Sequence, residues 1–218
     1  MIVAWLDQFP PLAALEPAAR ERLTAGADLL RLPAGSTLFE TGKPCRTYVI
    51  LRSGSVRVHQ LDEDGHEIVL YRLGPGDTCI LTTAALFSGE PYAAYAVSET
   101  PVELVGLPVA AFDALVGGSA AFRRFVFRSH AARLAALMRV VRDVAFRPID
   151  VRLSLRLLEL AGTADRLAIT HARLAAELGT AREVVSRRLK HFERNGWIGL
   201  EKGAIALLDR DRLRAVSA

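Results

Sequence analysis

The hydrophobic pattern changes character along the chain. From residue 29 to about 108, short β-like runs at 36–40, 48–51, 55–61, 67–73, 93–98 and 102–107 are set between turn residues. The turns are Pro33-Ala34-Gly35, Gly42-Lys43-Pro44, Ser53-Gly54, Asp62-Glu63-Asp64-Gly65 and Gly74-Pro75-Gly76-Asp77. Runs recurring at roughly ten-residue intervals with such punctuation predict an antiparallel sandwich or small barrel. A helical preamble precedes it, with Pro10 and Pro11 ahead of an amphipathic run over 17–23.

After Gly117-Gly118 the period becomes helical, and one segment continues over 119–146 until Arg147-Pro148. At about 1.5 Å per residue it would span roughly 40 Å, well beyond an average helix. Along it Phe127, Ala131, Leu134, Met138, Val141 and Ala145 recur at alternating spacings of four and three. That is the seam of a parallel two-stranded coiled coil, and it predicts a homodimer interface. A second apolar stripe through Leu137, Val140 and Val144 predicts packing on the chain's own β domain. Pro148 suits the first turn of a new helix and Asp150 its positive end, so 147–148 is the expected hinge.

The run from Ile169 to Gly179 predicts a short helix capped by Thr170, with Leu174 and Leu178 inward and Gly179 ending it in a tight turn. Thr180 and Glu183 then have the spacing of a capping box, and the next helix runs to about Asn195 with Val185, Leu189 and Phe192 inward. Glu183, Ser186, Arg187 and Lys190 lie three or four residues apart and share the opposite face. Taken alone, that face suits a capping box and solvated arginines. Its context points to a nucleic-acid surface, because a helix and a Gly turn precede it and a hairpin-like wing over 196–207 follows. Arg182, Glu183, Ser186 and Arg187 are the base-reading candidates: Arg can donate twice to guanine, Glu accepts from cytosine, and Ser meets a base edge or the thymine methyl. Thr170, His171, Thr180, Lys190 and Lys202 are the candidates for holding the DNA backbone.

Charge agrees with that division. Residues 147–218 carry 14 of the 28 Lys and Arg but only 9 of the 24 Asp and Glu, so the basic excess sits where double-stranded DNA would dock. Hydrophobic residues make up 51% of the chain, enough to build cores and to exclude wholesale disorder. No run approaches the ~18 apolar residues of a membrane span, and the N-terminus lacks a signal-peptide pattern, so no membrane partner and a cytoplasmic location are expected. Two cysteines, Cys45 and Cys79, are too few for a disulfide scaffold or a four-cysteine cluster within one subunit. The expected fold class is α+β: an N-terminal antiparallel β-roll sensor domain over 1–118, a dimerisation helix over 119–146 and a C-terminal winged helix-turn-helix over 147–218.

With this order of domains the chain resembles the Crp/Fnr family of bacterial transcription regulators over nearly its whole length. Gly-Pro-Gly-Asp at 74–77, Leu86-Phe87 and Ala145-Phe146 at the hinge match the family, and Glu183-Val184-Val185-Ser186-Arg187 fits the Glu-x-x-Ser-Arg pattern of its Fnr side. The resemblance implies a jelly roll like a cyclic-nucleotide-binding domain, no enzyme activity, RNA polymerase as a partner, and a palindromic operator with TTGAT-like half-sites one DNA turn apart. Glu183 and Arg187 would read its central G·C pair and Ser186 a T. Arg182 matches an Arg of the Crp branch and implies some TGTGA-like character.

In members of the family that bind cyclic nucleotides, Gly-Glu-Leu comes before the Leu-Phe pair, and an Arg-Ser pair after it grips the phosphate. The matching stretches here are Thr82-Thr83-Ala84-Ala85 and Tyr92-Ala93-Ala94-Tyr95, so both the Glu and the Arg are missing. A buried phosphate without a charge-assisted partner is expensive, so no tight cyclic AMP binding is expected. The N-terminal region holds no cysteine, and no 4Fe-4S iron–sulfur cluster of the Fnr kind is expected either. An apolar pocket lined by Leu81, Thr82, Thr83, Leu86, Tyr92 and Tyr95 would suit a small neutral effector or haem, with His59, His66 or His130 as axial ligand. Cys45 and Cys79 are a candidate redox switch, the alternative being two inert thiols. Two readings of other classes compete: a cupin-like β-roll holding a metal, for which no His-x-His pair exists, and a ligand-binding adaptor whose helix-turn-helix contacts protein, which the basic bias disfavours.

Overall fold

The structure, a computed structural model, describes residues 6–216 apart from 63, 64 and 66; of 8, 139, 140 and 143–145 it describes the backbone alone. The elements run α1 Pro10–Ala13, α2 Pro17–Gly26, β1 Asp28–Leu32, β2 Thr37–Phe39, β3 Thr47–Ser53, β4 Val56–Leu61 and β5 Glu67–Leu73. Next come α3 Ile80–Ser88, β6 Tyr95–Ser98, β7 Val102–Pro108, α4 Val109–Gly118 and α5 Ala120–Phe146. The chain closes with α6 Ile149–Ala161, β8 Arg166–Leu167, α7 His171–Leu178, α8 Arg182–Arg194, β9 Ile198–Glu201, β10 Ala204–Leu207 and α9 Arg210–Val216. The α+β architecture read from the sequence is the one found. Residues up to Gln60 with Leu70–Leu137 form one compact unit, and Leu61–Val69 with Met138 onward form the other.

In the first unit two antiparallel sheets, β1-β7-β3 and β2-β6-β4-β5, share a core. Leu51, Val102 and Leu104 from one sheet meet Phe39, Val56, Val58, Tyr71 and Ala96 from the other. A second cluster gathers Tyr48, Ile50 and Leu107 with Leu23, Phe112 and Phe122 from the helices, and the Tyr48 and Phe112 rings stack at 4.5 Å. Helix α5 begins at a built cap: Ser119 Oγ accepts from the Phe122 N–H at 3.1 Å and donates to Glu16 at 2.6 Å. Its first turns bury Ala121, Phe122, Phe125 and Val126, while Phe127, Ala131, Leu134, Met138 and Val141 all stand exposed. Leu137 packs against the inter-sheet core, whereas the side chains of Val140, Val144 and Ala145 lie outside the described residues.

In the second unit α6, α7, α8 and α9 enclose Leu153, Leu157, Leu174, Val185, Leu189, Phe192 and Leu213 against the sheet β8-β10-β9. Buried Ser154 is satisfied by the Leu213 carbonyl at 2.7 Å. Thr170 caps α7, its Oγ1 accepting from the Arg173 N–H at 3.1 Å. At the other end Gly179 adopts φ 56° and ψ 49°, and the N–H groups of Gly179 and Thr180 reach back to the Ala176 and Ala175 carbonyls. This is a Schellman turn, which needs a left-handed residue. It corrects one expectation, because Thr180 is spent closing α7 and the N-cap of α8 is Ala181, without a side-chain cap. The expected capping box between Thr180 and Glu183 is therefore not formed, and the Glu183 carboxylate is left free of that duty.

Candidate nucleic-acid interface

Helix α8 is split cleanly by chemistry. Val185, Leu189 and Phe192 are wholly buried, and Arg182, Glu183, Arg187 and Lys190 are exposed on the other side. Among the described residues these four make no ion pair or side-chain hydrogen bond, in contrast to Arg188 beside them, which pairs with Asp150 at 3.3 Å. The structure thus brings the base-reading candidates to one face at the N-terminal half of α8, with Ser186 half-buried among them. Ser186 has a partner that its position in the sequence does not announce: its Oγ lies 2.9 Å from Nδ1 of His171. Burial first, then Arg182 and Lys190 nearby, lowers the His171 pKa and so favours the neutral ring.

Thr170, His171 and Arg182 line a concavity with Glu201 and Gly203 of the wing. Exposed Lys202 sits in the two-residue turn between β9 and β10, which Gly203 makes at φ 76°. The wing is tied to α8 by the Leu200 N–H, which donates to Glu193 at 3.1 Å, and by Trp197 against Phe192 at 5.0 Å. Helix α7 is clamped from behind: Glu177, its side chain 2% exposed, pairs with Arg156 and, at 3.3 Å, with Arg173, and Arg152 donates to the Leu178 carbonyl.

The β domain arranges its candidates differently from the expectation of one pocket. Thr82 is buried on α3, its hydroxyl 3.3 Å from Tyr92 Oη, and Tyr92 donates to Cys45 Sγ at 3.0 Å. Thr83 is buried and donates to the Cys79 carbonyl, Leu81 joins the inter-sheet core, and Leu86 packs against the helix-side core instead. Tyr95 stacks on buried His59 at 5.6 Å. Tyr92 alone of the six lines the large concavity of this unit, whose other walls are Leu30, Leu32, Phe39, Arg46, Val49 and Leu104 among others. The reason is that 80–88 is a helix, which sends alternate candidates to different cores. Cys79 is buried beside Tyr71 Oη at 3.3 Å, Cys45 is half-buried, and both are free thiols. Burial raises the pKa of Tyr71 and of Tyr92 well above the usual phenol range. His130 is half-buried and His66 lies outside the described residues. Among the described residues no three His, Cys, Asp or Glu gather as a metal set, and no helix is long and apolar enough to cross a membrane.

Comparison with known proteins agrees with this geometry. Residues 29–118 match the cyclic nucleotide-binding domain and residues 151–216 the Crp-like helix-turn-helix domain. The cAMP-activated global transcriptional regulator CRP of Pasteurella multocida is 30% identical over 172 residues, 75% of this chain and 81% of the relative. The chain belongs to the Crp/Fnr family. A CRP-like cAMP-activated global transcriptional regulator of Mycobacterium tuberculosis is similar at 29% identity over 91% of this chain and 92% of its own. A crystal structure of a Crp/Fnr-family regulator from Eubacterium rectale superposes with a TM-score of 0.88 at 25% identity, over 97% of this chain and 99% of that one. As a Crp/Fnr protein the chain is a DNA-binding transcription regulator, and its relatives are regulators rather than enzymes. The cupin-like alternative is not favoured.

Proposed function

We propose that two copies of this Crp/Fnr regulator pair along the Phe127–Ala131–Leu134–Met138–Val141 stripe, with Ala145 continuing it. Each lays α8 in the major groove of a palindrome with TTGAT-like half-sites. Residues 1–118 then serve as sensor, 119–146 as dimerisation helix and 147–218 as DNA-binding domain, with RNA polymerase as the partner at a promoter. Glu183 accepts from the cytosine and Arg187 donates to the guanine of the central G·C pair, Ser186 and Arg182 read flanking bases, and Thr170, His171, Thr180, Lys190 and Lys202 hold phosphates. One observation carries this reading: three charged side chains, Arg182, Glu183 and Arg187, stand exposed and unpaired on a helix whose opposite face is fully buried.

The controlling signal is an effector other than cyclic AMP or a redox change at Cys45 and Cys79. Tyr92 bonds to Thr82 and to Cys45, and none of these three side chains offers the fixed positive charge that a phosphate calls for. The signal would act through packing along α5 and the 147–148 hinge, a coupling that need amount to only about 1–3 kcal/mol.

Fluorescence anisotropy with a TTGAT palindrome, followed across salt concentrations, tests the proposal. Affinity should fall with salt by about 0.9 log units per log unit for each phosphate neutralised. Arg187→Ala should cost about 1–3 kcal/mol and relax preference at the G·C pair. Indifference of the wild-type protein to every duplex at low salt, or an unchanged base preference in Arg187→Ala, would remove it.

A further inference from the structure

The neighbour of Ser186 matters as much as Ser186 itself. His171 opens α7 and Ser186 lies one turn into α8, so the contact at 2.9 Å between Nδ1 and Oγ spans the two helices of the motif. A serine hydroxyl owns one donor and two acceptor sites, and its hydrogen ordinarily rotates to suit whichever partner arrives. Such a group discriminates weakly, since every base pair presents both an amino donor and an acceptor in the major groove.

We propose that His171 is a positioning residue for base recognition: its Nδ1 takes the hydroxyl hydrogen of Ser186, so that Ser186 shows DNA only lone pairs and selects a base-edge amino group. The proposal rests on the reading of Ser186 as a base contact. With its hydrogen held, Ser186 cannot donate to guanine O6 or N7 or to thymine O4, and the adenine N6 and cytosine N4 amino groups remain as partners, so that a T of the half-site is read through the N6 amino group of its paired adenine. Acceptance at Nδ1 requires a neutral ring carrying its hydrogen on Nε2. The surroundings favour the neutral ring, which is half-buried and faced by the cations Arg182 and Lys190 from α8, with Glu201 of the wing in the same concavity; the placing of its hydrogen on Nε2 belongs to the proposal. The Nε2 hydrogen is then available to a phosphate oxygen, and docking on DNA would reinforce the same tautomer.

Selection of half-sites from a randomised duplex library, read by sequencing, separates this role from a purely electrostatic one. The proteins compared are wild type, Ser186→Ala, His171→Phe, His171→Asn and the double variant His171→Phe with Ser186→Ala, each checked for folding by circular dichroism. His171→Phe should lower the preference at the position affected by Ser186→Ala by about two- to tenfold, the range of one net hydrogen bond. Preference at the G·C pair read by Glu183 and Arg187 should stay as it is, and in the Ser186→Ala background His171→Phe should change no base preference further, whatever it costs in overall affinity through the phosphate. His171→Asn, whose amide can hold the hydroxyl, should recover part of the preference. A loss uniform across sequences with a flatter salt dependence would assign His171 to phosphate alone and overturn the proposal. If Ser186→Ala leaves every base preference untouched, the reading beneath the proposal fails, and the inference falls with it.

Discussion

Replacing Leu134 by Asp should turn a dimer into folded monomers. In the isolated chain Phe127, Leu134, Met138 and Val141 are 60%, 50%, 59% and 58% exposed, which is the apolar surface that the proposed pairing would cover. Fully burying such a side chain is worth about 1.5–3 kcal/mol. Burying only the exposed fractions of these four then yields about 3–7 kcal/mol per protomer, or about 7–14 kcal/mol for a symmetric pair. Association costs on the order of 4–15 kcal/mol in lost freedom, so the balance is close and each residue counts. Trimming Leu134 to Ala in both protomers removes about 1.5–3 kcal/mol, a loss of roughly ten- to more than a hundredfold in dimer affinity. An Asp adds the cost of setting two carboxylates into an apolar seam. Sedimentation equilibrium or mass photometry over nanomolar to micromolar protein reads the result, with a thermal melt to verify the fold. A Leu134→Asp protein that stays folded and dimerises as tightly as wild type would refute the assignment of this stripe.

Leu189→Ala should destabilise the C-terminal unit by about 2–5 kcal/mol, because the side chain is wholly buried among α6, α7 and the wing; urea unfolding followed by Trp197 fluorescence measures it. Calorimetry with cyclic AMP should show no submicromolar site, although the Mycobacterium tuberculosis and Pasteurella multocida relatives are cAMP-activated; a dissociation constant in that range would overturn the account of Tyr92 and Thr82. Burial first, then Arg182 and Lys190, depress the His171 pKa, so the unfolded chain takes up this proton before the folded one. Stability should therefore fall as pH drops through about 6.5 and below, and His171→Phe should lack that share of the slope in denaturant midpoints measured across this range.

The elements with a clean period were legible in the sequence, and those without one were not. Helix α8 announces itself because Val185, Leu189 and Phe192 recur on one side of an otherwise charged segment. Helix α3 does not: Ile80, Thr82, Thr83 and Ala85 are all buried, the segment is apolar around most of its circumference, and its β-branched residues carry no helical signature. Helix α4 hides for the same reason, an apolar run ending in Gly117-Gly118. Strand β1 is exposed over four of its five residues and is held by pairing with β7, a partner seventy or more residues away. The shift of the α8 cap from Thr180 to Ala181 follows from the Schellman turn: Gly179 announces a turn, but not that the Thr180 N–H is used to close it on the Ala175 carbonyl. At the site, the residue types on α8 were readable from spacing, while the contact between His171 and Ser186 is tertiary and had no linear signal beyond an imidazole one step after a cap.

The acid clamped behind α7 has a practical corollary. Glu177 is shielded from water between Arg156 and Arg173, so mobile ions screen it far less than they screen charges lying open on a surface. Raising the salt concentration should loosen the grip on a nucleic acid long before it disturbs the scaffold that aims the gripping helix. An eluted protein would emerge from a heparin or DNA column with its reading head intact, and a titration with potassium chloride would report on the interface alone.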